Sequence, residues 1–249
     1  MAHDKLRTFH LFAGAGGGEL ADLLLGHIPV GACEIEEYPR NVLLQRMRDG
    51  ILPVHPVWDD ICTLDGKPWR GLVDVVAGGF PCTDLAICKQ DAEGLNGAQS
   101  GLWFEMFRFI RECDPDEVFV ENSSMLVSRG LGRVLHDLSS IGYICRYTVM
   151  GGHETGSCTD GKRIWIYATK ADSERREAVQ GIQTEIIGSS ASSKRQFERA
   201  ISATWNEETD TRMRRDPHAM ARGMDRLKAA GNGQDPVLAA TAWRTLQLT

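Results

Sequence analysis

The chain has 249 residues, 42% of them hydrophobic and 25% charged. That suits one large α/β domain with a small lobe, and the scattered 26 Gly and 9 Pro exclude a collagenous or disordered chain. Lys and Arg number 28 against 34 Asp and Glu, a net charge of −6, so bulk charge does not advertise a nucleic-acid binder.

The acid is concentrated early. Residues 1–169 carry 15 basic and 23 acidic side chains, whereas residues 222–249 carry 4 and 2. A local basic face is compatible with that distribution. The sequence holds no run of about 18 apolar residues, so no membrane-spanning helix is expected. The opening Met1-Ala2-His3-Asp4-Lys5 lacks the charged-then-apolar pattern of a secretion signal, and a cytoplasmic location is expected. The seven cysteines form no C-x-x-C pair, which argues against a disulfide framework or zinc knuckle.

Phe9-His10-Leu11-Phe12 is a short apolar run ending in Ala13-Gly14-Ala15-Gly16-Gly17-Gly18, and Glu19 to Leu25 reads as a helix. A second strand ends at Gly31-Ala32-Cys33-Glu34, followed by a helix from Glu37 to Met47. Val73-Asp74-Val75-Val76-Ala77 is a β-branched strand closed by Gly78-Gly79. Leu102 to Arg111 is amphipathic, Glu117 to Glu121 a fourth strand, and Leu131 to Ile141 a helix. Tyr143–Met150 and Arg163–Thr169 are further strands. Strands separated by helices predict a doubly wound, mostly parallel sheet covered on both faces. Residues 170–221, with Gly188-Ser189-Ser190-Ala191-Ser192-Ser193, lack that rhythm and form the expected inserted lobe. Order returns at Met224–Leu227, and a helix starting near Pro236 and running through Leu246 closes the domain over residues 222–249.

Five turns carry chemistry. A glycine cluster between strand and helix lets backbone approach a nicotinamide, flavin or adenosyl ligand, or merely turns the chain. Glu34, about 20 residues on, stands where an acid holds ribose hydroxyls. Asp60, in Trp58-Asp59-Asp60-Ile61, can accept from an adenine amine. Cys82 follows Gly79-Phe80-Pro81 beyond a strand end, where a thiolate can act as nucleophile. Cys33 and Cys145 fit buried, inert thiols better. Glu121-Asn122-Ser123 ends another strand, so Glu121 converges on the same crevice, and burial would let it donate a proton near neutrality.

Phe12-Ala13-Gly14-Ala15-Gly16-Gly17, Glu34, Asp60, Gly79-Phe80-Pro81-Cys82, Glu121-Asn122 and Gly231-Asn232, in that order, resemble the DNA cytosine-5 methyltransferase family. The resemblance covers about residues 8–169 and 222–248. Its compact form, with Met224-Asp225-Arg226-Leu227 leading into Gly231-Asn232-Gly233-Gln234, is similar to bacteriophage or prophage versions. It implies a Rossmann-like methyltransferase domain over residues 1–169, a target recognition lobe over 170–221, and completion of the domain by 222–249. S-adenosylmethionine is the implied methyl donor, without a metal. Double-stranded DNA is the implied partner, with no membrane and a monomeric protein, since a duplex needs one active site per flipped base.

The resemblance also implies residue roles. Cys82 attacks C6 of a flipped cytosine, and Glu121 protonates N3. Arg163 matches the last arginine of a Gln-x-Arg-x-Arg motif that is otherwise degraded here, and Lys162 can share its role. Phe12, Ala13, Gly14, Gly16, Gly17, Glu34, Ile35, Asp60, Ile61, Gly79, Pro81, Asn232 and Gly233 fall on cofactor-pocket positions, with Phe80 and Pro81 shaping the cysteine loop. Arg195, Arg212, Arg214 and Arg215, together with Lys194 and Arg199, are candidate phosphate contacts. His10 stands where the family usually has an acid, and Ile35 where a tryptophan often stacks on adenine. Alternatives are an RNA cytosine methyltransferase, transfer of a modified methyl group such as carboxymethyl, a catalytically silent DNA-binding module, and a nicotinamide dehydrogenase. The last leaves the Pro-Cys and Glu-Asn turns unexplained.

Overall fold

The computed structural model describes residues 5–81, 101–151, 161–170 and 233–248. Cys82, Asn232, Arg195, Arg212, Arg214, Arg215, Met224–Leu227 and the lobe from 171 to 221 lie outside the described residues.

The elements are β1 (Arg7–Leu11), α1 (Gly17–Leu25), β2 (Ile28–Cys33), α2 (Glu37–Arg48), β3 (Val57–Trp58), a 3-10 turn (Lys67–Trp69) and β4 (Val75–Gly78). Then come α3 (Gly101–Cys113), β5 (Glu117–Ser123), α4 (Leu126–Arg129), α5 (Leu131–Ser140), β6 (Tyr143–Met150), β7 (Arg163–Lys170) and α6 (Pro236–Leu248). One seven-stranded sheet runs β3-β2-β1-β4-β5-β7-β6. Pairings among β1 to β5 are parallel, and β7 is antiparallel to both neighbours. The doubly wound, mostly parallel sheet expected from the sequence is present. The two-residue β3 and one-turn α4 are additions, because neither is long enough to show a period.

The alternation along each strand sorts the core onto two faces. Phe9, Leu11, Val76, Val118 and Val120 pack with Met106, Phe109 and Ile110 of α3 and Val134 and Leu138 of α5. Val75, Ala77, Phe119, Trp165 and Tyr167 pack with Ala21 of α1 and Leu238, Ala242 and Trp243 of α6. Leu43 and Met47 of α2 join Leu20 and Ala32 in a third cluster. Helix α6 starts as expected. Asp235 Oδ1 accepts from the N–H groups of Val237 and Leu238 at 2.9 and 3.1 Å, and Pro236 takes the first position, where no N–H is needed. Among the described residues no helix is long and apolar enough to cross a membrane.

One polar cluster is sealed between β1 and α1. Asp22 takes a hydrogen bond from Thr8 Oγ1, and its Oδ2 lies 2.6 Å from His10 Nε2, with all three residues buried. His27 Nδ1 stands 3.4 Å from Asp22 Oδ1. Burial alone would raise the Asp22 pKa, but the charge and hydrogen bonds of His10 and His27 pull it down to about 2. Burial likewise opposes a charge on His10, yet Asp22 and Glu19 hold its pKa above 6.5. The acid contributes stability that is present above about 3.8 and lost as pH falls toward 2. The imidazolium contributes below 6.5 and its share is lost as pH rises through its raised value. Asp22→Asn should therefore destabilise the fold by about 3–5 kcal/mol near pH 5 and by less near pH 8.5, read by urea denaturation at both pH values. An equal cost at both would mean that His10 carries no charge.

Candidate active site

The carboxyl ends of the parallel strands form one edge, and the predicted turns open onto it. After β1 the chain makes a left-handed step at Phe12 (φ 55°), an unusual conformation for a side chain of that size, and a second at Gly14 (φ 56°). Ala13 N–H donates to Cys33 O at 3.0 Å, tying the turn to β2. Gly16 (φ 84°) caps α1 without a side chain, and Arg46 of α2 donates to the carbonyl of Ala15. Gly17 faces inward. A Cβ there would lie 2.2 Å from the carbonyl oxygen of Gln234, so this glycine serves the packing of the C-terminal segment.

Glu34, 7% exposed, closes the other side of the turn. Its Oε2 accepts from Gly14 N–H at 2.6 Å and its Oε1 from Glu36 N–H at 2.8 Å. Each oxygen keeps a lone pair for a further donor. Asp60 is half-buried, and its Oδ1 accepts from Cys62 N–H at 2.9 Å. Glu34, Asp60 and Asp59 all act on Cys33, whose thiol is pushed up to about 12 by burial and then by these acids. The acids of two strand ends thus converge, and Cys33 is inert, as expected. Ile35 is 65% exposed, available for apolar contact. Ile61 is buried in the core, its carbonyl accepting from Arg108 Nη2 at 2.7 Å, and supports the Asp60 turn from below. Two acceptors, an exposed apolar side chain and an open glycine turn suit the hydroxyls, amine and ring of an adenosyl group.

The second half of the edge surrounds Glu121. Along β5, Val118 and Val120 enter the α3 face, so Asn122 points that way too, while Phe119 and Glu121 point toward α1 and α6. Asn122 Nδ2 donates to Phe80 O at 2.9 Å inside the protein. Phe80 is buried against Trp103, their centroids 5.3 Å apart, and Pro81 beyond it is exposed. The chain is thereby anchored immediately before Cys82. Glu121 lies across Gly79, where a Cβ would stand 2.6 Å from Oε2. Strand β7 sets Trp165 opposite Glu121 and Arg163 opposite Ser123. Arg163 Nε consequently reaches Glu121 Oε1 at 2.9 Å. Burial raises the Glu121 pKa, Arg163 and a hydrogen bond from Gln234 oppose it, and the outcome is about 7. Such a carboxyl can give or take a proton at neutral pH. Lys162 is exposed beside Arg163.

The structure brings Gly79, Glu121 and Arg163 into contact, and Glu34 into contact with Gly14. It adds three residues to which the sequence assigned no role: Asn122, Arg46 and Gln234. Asn122 was visible beside Glu121, and Gln234 beside Gly233, but neither carries a spacing that predicts its partner.

A family model described as C-5 cytosine-specific DNA methylase matches residues 6–221. The Type II methyltransferase M.CviJI of Paramecium bursaria Chlorella virus IL3A is 29% identical over 180 residues, which are 72% of this chain and 47% of that protein. M.Eco47II of Escherichia coli is 31% identical over 145 residues, 57% of this chain and 33% of the other. The chain spans about half or less of the length of these curated relatives. A mutant DNMT2 of Spodoptera frugiperda superposes with a TM-score of 0.56 at 15% identity, over 68% of this chain and 51% of that one. A protein encoded within an Escherichia coli prophage does so with 0.53 at 18%, over 71% and 48%. These two are likenesses of fold. With the family match running from β1 through β7, the chain belongs to the C-5 cytosine-specific DNA methylases.

Proposed function

We propose that the chain transfers a methyl group from S-adenosylmethionine to C5 of a cytosine flipped out of duplex DNA, through a covalent bond from Cys82 to C6. One observation carries the reading most directly. A buried carboxyl with a pKa of about 7 stands over Gly79, at the root of the Pro-Cys turn. Cytosine C6 is a poor electrophile unless negative charge arriving at N3 is neutralised. Glu121 in its protonated form supplies that proton as the thiolate adds. Arg163, whose Nε lies 2.9 Å from Glu121 Oε1, is the residue we assign to contact the same base or its backbone.

S-adenosylmethionine, when bound, supplies an electrophilic methyl group. Glu34 and Asp60 are the residues that would accept from its ribose and adenine, with Phe12 and Ile35 as apolar neighbours and Asn232 and Gly233 completing the pocket. Once C5 has taken the methyl group and S-adenosylhomocysteine is left, a base removes the C5 proton, the electrons of that bond restore the C5–C6 double bond and expel the Cys82 thiolate, and N3 returns its proton to Glu121, which restores the enzyme. The target base has to leave the stack because its C6 face is otherwise covered. Residues 170–221 are the proposed recognition lobe, with Arg195, Arg212, Arg214 and Arg215 on phosphates. A cytoplasmic monomer and a bacteriophage or restriction–modification setting belong to this proposal.

The deciding experiment is trapping on a duplex carrying 5-fluorocytosine, with S-adenosylmethionine present. Fluorine at C5 blocks the last elimination, so the wild-type protein should form a denaturant-resistant adduct and Cys82→Ala none. An adduct with RNA alone would move the substrate to RNA, and no adduct with either would leave a silent binding module.

Glu121→Gln tests the acid. It should slow single-turnover transfer by about 10²–10⁴-fold, the usual share of a general acid. It should also change the pH dependence of folding. A neutral Glu121 contributes fully below about 4.5, and that contribution is lost as pH rises through about 7. The stability of Glu121→Gln relative to wild type should therefore improve between about pH 5 and pH 8.5, by on the order of 3 kcal/mol. A difference independent of pH would place the Glu121 pKa near its unfolded value.

A further inference from the structure

Glu121 has a second polar partner, from the opposite end of the chain. Gln234 hydrogen-bonds its carboxyl, and Gln234 Nε2 lies 3.7 Å from the position of a Cβ on Gly79. The same residue is wedged against the glycine turn. Its carbonyl oxygen lies 2.2 Å from the Cβ position of Gly17, and its Oε1 2.7 Å from that of Gly18. No side chain fits at either glycine without moving Gln234. Its place is fixed from behind, because Asp235 caps α6, and Arg244 of α6 donates to Leu24 O of α1 at 3.1 Å.

We propose that Gln234 is a positioning residue for the proton transfer: its amide N–H holds the Glu121 carboxyl over Gly79, and its wedge against Gly17 and Gly18 ties that orientation to the cofactor turn. The inference rests on Glu121 acting as the proton donor to the flipped cytosine. Arg163 by itself would favour a plain ion pair and hold the acid ionised. A neutral amide differs, because it donates to an oxygen of the carboxylate, the stronger bond, and also to the carbonyl oxygen of the neutral acid. The carboxyl can therefore lose and regain its proton without losing its orientation. The charged groups facing this point are Arg163 from β7 and, lining the small cavity on the other side of Gln234, His10 from β1 and Asp22 from α1.

Gln234→Met keeps the length of the side chain and removes the N–H. In the full-length variant, the Glu121 carboxyl titration, followed by 13C NMR of carboxyl-labelled protein, should move above the wild-type midpoint, since a donor favouring the ionised form is gone. Single-turnover transfer near pH 6 should fall about tenfold, one hydrogen bond's worth, while S-adenosylmethionine binding stays within about twofold. An unmoved midpoint would overturn the proposal, and so would a rate loss matched by an equal loss of cofactor binding. A moved midpoint in the variant, beside a wild-type protein that methylates neither DNA nor RNA, would overturn the positioning role through the failure of the reaction. An unmoved midpoint in an active enzyme would overturn the Gln234 contact alone.

Discussion

A carboxyl group removed from water must be neutral or paired, and the candidate site is organised around one that stands between these states. Burial drives Glu121 toward the neutral acid, while Arg163 and Gln234 pull it toward the carboxylate. Either influence alone would fix one protonation state. Together they leave the pKa near neutrality, which is what proton transfer at physiological pH requires. The three groups come from β5, β7 and the segment before α6, far apart in sequence, so the balance exists only in the folded chain.

The sheet order explains how they meet. A fully parallel doubly wound sheet would bring the end of β7, not its start, to the edge where β5 finishes. Because β7 runs antiparallel between β5 and β6, its first residue arrives beside the last residues of β5. Arg163 and Trp165 share a face, so the arginine reaches back diagonally to Glu121. The dinucleotide-binding arrangement, with parallel strands in the order 3-2-1-4-5-6, lacks this strand reversal. That difference, with the family match, sets aside a dehydrogenase reading of the glycine turn.

The glycine turn is braced from several sides. Glu34 takes the N–H of Gly14, Arg46 the carbonyl of Ala15, and Cys33 the N–H of Ala13. Beneath it, His10 of β1 pairs with Asp22 of α1. This histidine–aspartate pair is a cross-link between strand and helix. Both partners are buried, so the pair is costly to break singly. The turn's neighbours are thus set by charge and hydrogen bonding as much as by glycine.

Much of this was legible in the sequence. The β-branched run at Val73–Ala77, the strand at Glu117–Glu121 and the amphipathic Leu131–Ile141 announced their elements through local periods, which depend only on neighbouring residues. The positions of Glu121 and Glu34 were legible because strand-end turns in such a sheet gather at one edge, and the raised pKa of Glu121 followed from its burial there. The two-residue β3 and the one-turn α4 were not legible, being shorter than any period. Ile61 and Gly17 fell on motif positions, but what they face, the core for Ile61 and Gln234 for Gly17, is set by packing across the fold. By itself the sequence determined the longer elements, the parallel core of the sheet and the residue types at its carboxyl edge. Only the tertiary structure decided that β7 reverses, that Arg163 and Gln234 both hold Glu121, and that His10 pairs with Asp22, because each joins residues between 12 and 113 positions apart and no local signal encodes such a distance.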